Sequence, residues 1–243
     1  MKIENSVILI TGAAARVGKE VALHFAGKGA HISFSYYEES EPWRETKQEI
    51  EKMGVKCFVK KVEIRKRDEI FAFVKEAKET LGKIDVLINN ASVWLRTPFL
   101  KISEEEWNLA LDVNLKGPFL CSQAVAPIML EQGQGVIINI TDLSAYQVWN
   151  DNAHHASSKA GLVALTKSMA YELAPKIRVN AIAPGTVLLP PNPSPAKVEW
   201  AVENSLLKRV GTPKDVAKLM EFLIDNEFAT GSVYFIDGGR SLV

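Results

Sequence analysis

His155 and Lys159 stand one helical turn apart in the run Asn152-Ala153-His154-His155-Ala156-Ser157-Ser158-Lys159. On a helix, that spacing puts both side chains on one face and turns His154 away, toward packing or surface. An imidazole titrates near neutrality and can serve as a general acid. The neighbouring ammonium works against this, because it favours the uncharged ring. Asp142 follows the apolar run Val136–Ile140, at the end of an expected strand. Ionised, its carboxylate would chiefly stabilise the Lys159 charge; desolvated, its pKa rises and it becomes a proton donor itself. The chemistry legible here is proton transfer, and three arrangements fit it. They are a histidine acid acting through a bridging water, a relay in which Asp142 or Tyr146 supplies the proton, and a site that binds its ligands with little turnover.

A second motif points to the co-reactant. Thr11-Gly12-Ala13-Ala14-Ala15-Arg16-Val17-Gly18 follows the apolar run Val7–Ile10 and opens a helical pattern. Small residues at such a turn let the backbone approach a pyrophosphate at the positive end of a helix. Gly12, Arg16, Val17 and Gly18 are therefore expected to contact a dinucleotide. A guanidinium at Arg16 can pair with a ribose 2′-phosphate, which favours NADPH. NAD-selective sites often place an acid at the end of the second strand to hold both ribose hydroxyls. Here Tyr36 takes that place, followed by Tyr37, Glu38 and Glu39. Loss of the acid favours NADPH, but the two glutamates would repel a phosphate unless they point away, so NADH stays possible.

The elements that must position these groups follow from apolar periodicity. Short runs at Val7–Ile10, Ile32–Tyr36, Cys57–Val62, Val86–Ile88, Val136–Ile140, Val179–Ile182 and Val233–Ile236 are mostly continuously apolar, as for strands covered on both faces. Amphipathic helical patterns lie between them, among them Ile70-Phe71-Val74-Ala77-Leu81 and Leu162-Leu165-Met169-Leu173. Two long helices are expected, Glu104–Leu130 and His155–Leu173. A capping box at Ser103 with Glu106, and Thr212 followed by Pro213, mark helix starts. The expected fold is a single-domain α/β Rossmann fold over residues 1–243, a doubly wound parallel sheet of about seven strands with helices on both faces. With 243 residues, 47% of them hydrophobic, one such core can be buried. Four prolines between Pro190 and Pro195 stiffen a loop in a lid segment at about 187–211.

Composition narrows the partners. Lys+Arg and Asp+Glu are equal at 29 each, which removes the electrostatic case for nucleic acid or an anionic membrane. No run is long enough to span a bilayer, and the N-terminus leads into a short strand rather than a signal peptide. Cys57 and Cys121 have no CxxC spacing, so buried thiols in a reducing, cytoplasmic setting are expected, with no metal site.

The TGxxxxxG turn, Asn89-Asn90-Ala91-Ser92, Asn114 in Val113-Asn114-Leu115-Lys116-Gly117, the Lys159 segment, Pro184-Gly185-Thr186-Val187 and Asp237-Gly238-Gly239 occur in that order. Together they resemble the short-chain dehydrogenase/reductase family nearly end to end. Within it the chain is similar to pteridine reductase and dihydromonapterin reductase-like members. These share TGxxxRxG, Asn-Ala-Ser and an aspartate where most members carry a catalytic serine; Arg16, Asn90–Ser92 and Asp142 fill those positions. Two places depart from that pattern. His155 stands where a tyrosine donor is usual, and Glu38 and Glu39 lie where a basic residue usually meets the cofactor phosphate.

The resemblance implies roles for several residues. Lys159 would hold the nicotinamide ribose and lower the pKa of the neighbouring acid, and Asn114 would sit in a kinked helix and organise a proton-relay water. Asn90 and Ala91 would line the cofactor, Glu63 and Ile64 would meet the adenine, and Pro184, Gly185 and Val187 would abut the nicotinamide. Ser92, Trp94, Tyr146, Trp149 and Leu188 would form a flat slot for a small-molecule substrate. The expected function is an NADPH-dependent reductase of a pterin-like or other conjugated C=N or C=O substrate, assembled as a homotetramer through the two long helices. The alternatives are a 3-oxoacyl or other ketone reductase, and an NADPH-binding protein with little turnover.

Overall fold

A computed structural model describes all 243 residues. Seven strands, β1 (Val7–Ile10), β2 (His31–Tyr36), β3 (Cys57–Lys61), β4 (Val86–Asn89), β5 (Gly135–Ile140), β6 (Ile177–Pro184) and β7 (Val233–Ile236), form one sheet in the order β3-β2-β1-β4-β5-β6-β7. Every pairing is parallel. Successive side chains point to opposite faces of a strand, and each face has its own helical cover. Ile8 and Ile10 of β1 enter one apolar layer with Val21 and Phe25 of α1 (Arg16–Ala26) and Val216 and Met220 of α8 (Pro213–Asp225). Leu9, between them, enters the opposite layer with Phe73 and Val74 of α3 (Arg67–Leu81) and Val125 and Met129 of α5 (Gly117–Gln132). In β4 and β5, Val86, Ile88, Val136 and Ile138 face the first layer and Leu87 and Ile137 the second. Double cover explains the unbroken apolar runs.

The order of the sheet reverses between β1 and β4. Their connections leave on opposite faces, which opens a crevice at the carboxyl ends of these strands, the place where such sheets bind ligands.

The second long helix runs as α6 (Ala153–Leu173), while the expected Glu104–Leu130 helix is divided. It runs as α4 (Glu104–Leu111), a π-helical segment Asp112–Lys116, and α5. Pro118 has no N–H to give the carbonyl of Asn114, and the helix widens there. Gly117 also packs against the sheet side, where an added Cβ would lie 2.9 Å from Cγ1 of Ile64. Two short helices carried no readable apolar period. In α2 (Trp43–Glu51) only Thr46 and Ile50 are buried, and α7 (Pro195–Glu203) buries only Ala201. The segment 187–211 thus contains a helix, started by Pro195 and capped by Ser194, whose side chain accepts from the Lys197 N–H. The other expected starts hold: Ser103 with Glu106 and Thr212 with Asp215 both form complete capping boxes. Cys57 and Cys121 are free, and burial pushes both thiols up to about 12, so they stay protonated and unreactive. No helix is long and apolar enough to cross a membrane.

Candidate active site

The crevice is a cavity of about 580 Å³ whose lining includes Gly12, Arg16, Val17, Gly18, Tyr36, Glu63, Ile64, Asn90, Ala91 and Ser92. The β1–α1 turn is tied to the end of β4. Asn90 Nδ2 donates to the carbonyls of Thr11 and Gly12 at 3.0 and 2.9 Å, and the Asn90 and Ala91 N–H groups both donate to Thr11 Oγ1 at 3.0 Å. Gly12 has φ +65°, and a Cβ there would meet Ala91 Cα at 3.0 Å. At Gly18 a Cβ would lie 2.5 Å from the Gly12 carbonyl oxygen and 2.7 Å from Asn90 Nδ2. No side chain caps α1, so its first-turn N–H groups are free for a phosphate. These features fit a dinucleotide pyrophosphate. Gly18→Ala must move backbone to be accommodated and is expected to cost about 1–3 kcal/mol. Thermal melts with and without NADPH check this, and an unchanged melting temperature together with unchanged NADPH stabilisation would show that the turn tolerates the methyl group.

Arg16 lines the crevice with φ +55°, the left-handed region. A non-glycine residue there is strained by about 1 kcal/mol. Arg16→Gly is therefore expected to stabilise the empty protein while it weakens NADPH relative to NADH, which a melt and a pair of Kd measurements would show.

Glu38 and Glu39 do not line the crevice. Tyr36 stacks on Trp43 with ring centroids 4.9 Å apart, and its hydroxyl donates to Glu39 Oε1 at 2.9 Å. That hydrogen bond is the main reason the Glu39 carboxyl lies below its ordinary value. Glu38 accepts from Ser40. Of the acids in the turn after β2, the one that lines the crevice is Glu41, whose Oε1 accepts from the backbone N–H groups of Tyr37 and Glu38 at 2.7 and 2.8 Å. Glu63 is held by Arg65, with the guanidinium and backbone N–H both donating to it, and its carboxyl is lowered accordingly. Arg65 also lines the crevice. Sequence reading missed Glu41 and Arg65 because only the turn after β2 and the course of β3 bring them there; a carboxylate three residues after a paired N–H is the one local signal for Glu41.

Outside the cavity lining, and joined to it through Val93, His155 Nε2 lies 2.6 Å from Asp142 Oδ2. Burial presses the Asp142 pKa upward, but the His155 hydrogen bond and the Lys159 charge outweigh it, and the carboxyl stays below its ordinary value. The ionised carboxylate therefore accepts from Nε2–H. His155 Nδ1 lies 3.1 Å from the Val93 carbonyl and 3.3 Å from Asn114 Nδ2. As a cation the ring donates to Val93; as the neutral Nε2–H tautomer it accepts from Asn114. Both states have a partner. Asn114, carried inward by the π-helical segment, is fixed by donors on its other side, Ser92 Oγ at 3.0 Å and the Val93 N–H at 2.9 Å. Lys159 is 3% exposed, and its Nζ donates to the Ile140 carbonyl at 2.8 Å. Burial lowers its pKa to about 8, with Asp142 opposing.

Exposure distinguishes the pair. The His155 side chain is 1% exposed and that of Asp142 16%. Trp94 covers the imidazole, its ring 4.5 Å away, and leans on Trp149 at 5.6 Å. Tyr146 packs on Phe235 at 4.9 Å instead. Leu188 is partly exposed, and Val187 faces a second, small cavity with Thr186, Asp237 and Arg240 rather than the crevice. Pro184 ends β6 beside β7 and Gly185 follows it, where a Cβ on Gly185 would meet Asp237 Cα at 2.8 Å. His154, expected at a packed or surface position, is fully buried, with neither ring nitrogen hydrogen-bonded. Burial lowers its pKa and keeps it neutral.

Residues 12–241 match the family profile described as Enoyl-(Acyl carrier protein) reductase. The chain is 34% identical over 240 residues to the 3-oxoacyl-(acyl-carrier-protein) reductase FabG of Staphylococcus epidermidis, covering 97% of this chain and 98% of that protein. It is 36% identical over 250 residues to the hydroxy(phenyl)methylsuccinyl-CoA dehydrogenase subunit BbsD of Thauera aromatica, covering 100% and 99%. Among solved structures, a 7α-hydroxysteroid dehydrogenase in complex with NADH and 7-oxo glycochenodeoxycholic acid superposes with a TM-score of 0.92 at 32% identity, covering 98% of this chain and 95% of that one. With its parallel seven-stranded sheet and a family match over nearly its whole length, the chain belongs to the short-chain dehydrogenase/reductase family of oxidoreductases.

Proposed function

We propose that this protein is an NADPH-dependent ketone reductase in which the proton reaches the substrate through Asp142. The 2.6 Å contact between His155 Nε2 and Asp142 Oδ2, with only the aspartate partly open, carries this reading. Arg16, Asn90 and the uncapped α1 N-terminus would hold the nucleotide, and Lys159 its ribose. Bound there, NADPH supplies the hydride. The residues of the chain handle the proton. In the doubly protonated state of the ring, His155 shares its Nε2 proton with Asp142 Oδ2; transfer of that proton to the carbonyl oxygen, as the hydride reaches the carbon, leaves a carboxylate beside a neutral ring that keeps its Nδ1 proton on the Val93 carbonyl. Lys159, one turn away, stabilises the negative charge that develops on the oxygen. Trp94 keeps water off the imidazole and so directs the proton outward through Asp142.

A ketone is preferred to a pterin because the names of the relatives describe oxoacyl and oxo-steroid substrates or the corresponding alcohols. The pterin-like reading rests on the resemblance at Arg16, Asn90–Ser92 and Asp142. Single-turnover oxidation of bound NADPH, followed by absorbance, separates these readings. Oxidation by a 3-oxoacyl thioester or a cyclic ketone supports the proposal, oxidation by dihydropterin alone restores the pterin reading, and tight NADPH binding with no oxidation points to a binding protein.

Cofactor choice is set between Arg16 and Glu41. Removing the Glu41 charge, as in Glu41→Gln, is expected to raise the preference for NADPH over NADH about five- to tenfold, read from the two Kd values. An unchanged ratio would remove Glu41 from cofactor discrimination. The assembly we infer is a cytoplasmic homotetramer joined through α4, α5 and α6, where Phe119 is 43% and Tyr171 89% exposed.

A further inference from the structure

Arg240 is a half-buried cation that the proton chemistry does not use. It follows β7, and its guanidinium carbon lies 4.9 Å from the ring centre of Trp149 and 4.7 Å from that of Trp200. These indoles come from different places, the loop before α6 and the lid helix α7. One donor is taken: Nη1 donates to Thr186 Oγ1 at 2.9 Å. Position is fixed further by Gln147, which donates to the Arg240 carbonyl at 3.2 Å and accepts from Trp149 Nε1 at 3.3 Å.

No carboxylate of the chain pairs with this guanidinium. Asp142 and Asp237 act on it only at longer range, and Asp237 is committed to the N–H groups of Gly239 and Ser241 at 2.9 and 2.7 Å. A cation taken from water without a counter-ion is costly. With aromatic rings over the guanidinium, the free donors lie along its edge, and the partner that suits such an edge is a planar, two-oxygen anion. The location is also informative. Trp149 touches Trp94, which covers His155, so Arg240 shares an aromatic wall with the proton site.

We propose that Arg240 receives a carboxylate carried by the substrate at the end away from the reacting carbonyl, so that the substrates are oxo acids rather than neutral ketones. This deepens the ketone-reductase reading and rests on it, but its test does not need turnover.

Calorimetric titration of the NADPH-saturated protein with 4-oxo-4-phenylbutanoate and with its methyl ester compares a charged and a neutral form of one ketone. The acid is expected to bind at least tenfold more tightly than the ester. Arg240→Gln removes that difference and leaves ester binding within about twofold, whereas Arg240→Lys retains part of it. Equal binding of acid and ester, no binding of either, or an equal loss of both in Arg240→Gln overturns the proposal; the last would mean that Arg240 only fastens the lid. A parallel assay of NADPH oxidation keeps the two readings apart, since a preference for the acid without turnover would fail the reductase reading and leave the carboxylate site standing. Arg240→Lys keeps the charge and provides the comparison if the glutamine variant melts early.

Discussion

Asp142→Asn is expected to lower the single-turnover rate of NADPH oxidation by about 10²–10⁴-fold, and His155→Ala by a similar factor, the range associated with a positioned proton donor. The double variant should be little worse than either single one, because both act on one shared proton and losses within such a unit do not add. The asparagine has nearly the shape of the aspartate but cannot take the proton from Nε2 and pass it on. Alanine at 155 removes the source and leaves Asp142 with Ser144 and Lys159 as its neighbours. Independent, multiplicative losses would show that the two residues do not share a proton. A rate unaffected by Asp142→Asn but lost in His155→Ala would place the exit at the imidazole, with a water between it and the substrate. His155→Tyr is also informative. The imidazole is matched at both nitrogens and covered by Trp94, so a tyrosine is expected to lower the rate; a higher rate would indicate that the histidine is a loss rather than an adaptation.

Lys159→Met is expected to abolish turnover and at the same time to stabilise the nucleotide-free protein at pH 7. The ammonium is buried, and burial brings its pKa from the ordinary 10.5 to about 8. At neutral pH the fold therefore carries the cost of holding a charge it would rather release, about 3 kcal/mol at 1.36 kcal/mol per pKa unit. Methionine removes this cost but leaves the Ile140 carbonyl without its donor, a loss of about 1–3 kcal/mol. A net gain of up to about 2 kcal/mol remains. The pH dependence follows from the lowered pKa. Between about pH 8 and 10.5 the unfolded chain binds more protons at this group than the folded one, so this group's contribution to stability rises with pH across the window. Urea denaturation of wild type and variant at pH 7 and pH 10 tests both statements, with the difference between the two proteins isolating the lysine. The advantage of the variant should shrink at high pH; if it grows or holds constant, the ammonium is not destabilised in the fold.

Much of the frame was legible because its causes are local. Continuous apolar runs of strand length announced a sheet covered on both faces, and the caps at Ser103 and Thr212 are written within four residues of sequence. The helices without such signals were not legible. In α2 and α7 few residues are buried, so the apolar period that reveals a helix is absent. The kink at Asn114 was expected from the family resemblance alone; its physical cause, the missing N–H of Pro118 set against its acceptor one turn earlier, is hidden by the long apolar pattern.

The candidate site divides along the same line. Sequence alone determined that His155 and Lys159 share a helical face, that the glycine turn opens α1, and that Asp142 lies just past a strand, because each depends on steric and periodic rules acting over a few residues. Tertiary structure alone decided which of these groups are left open to the cavity or to solvent. It buried His155 under Trp94 and left Asp142 partly open, turned Glu39 toward Tyr36 and Glu41 toward the crevice, and set Arg240 between indoles from separate segments. Such outcomes depend on desolvation and on distances between residues far apart in the chain, and neither quantity exists until the sheet and its two helical layers have closed.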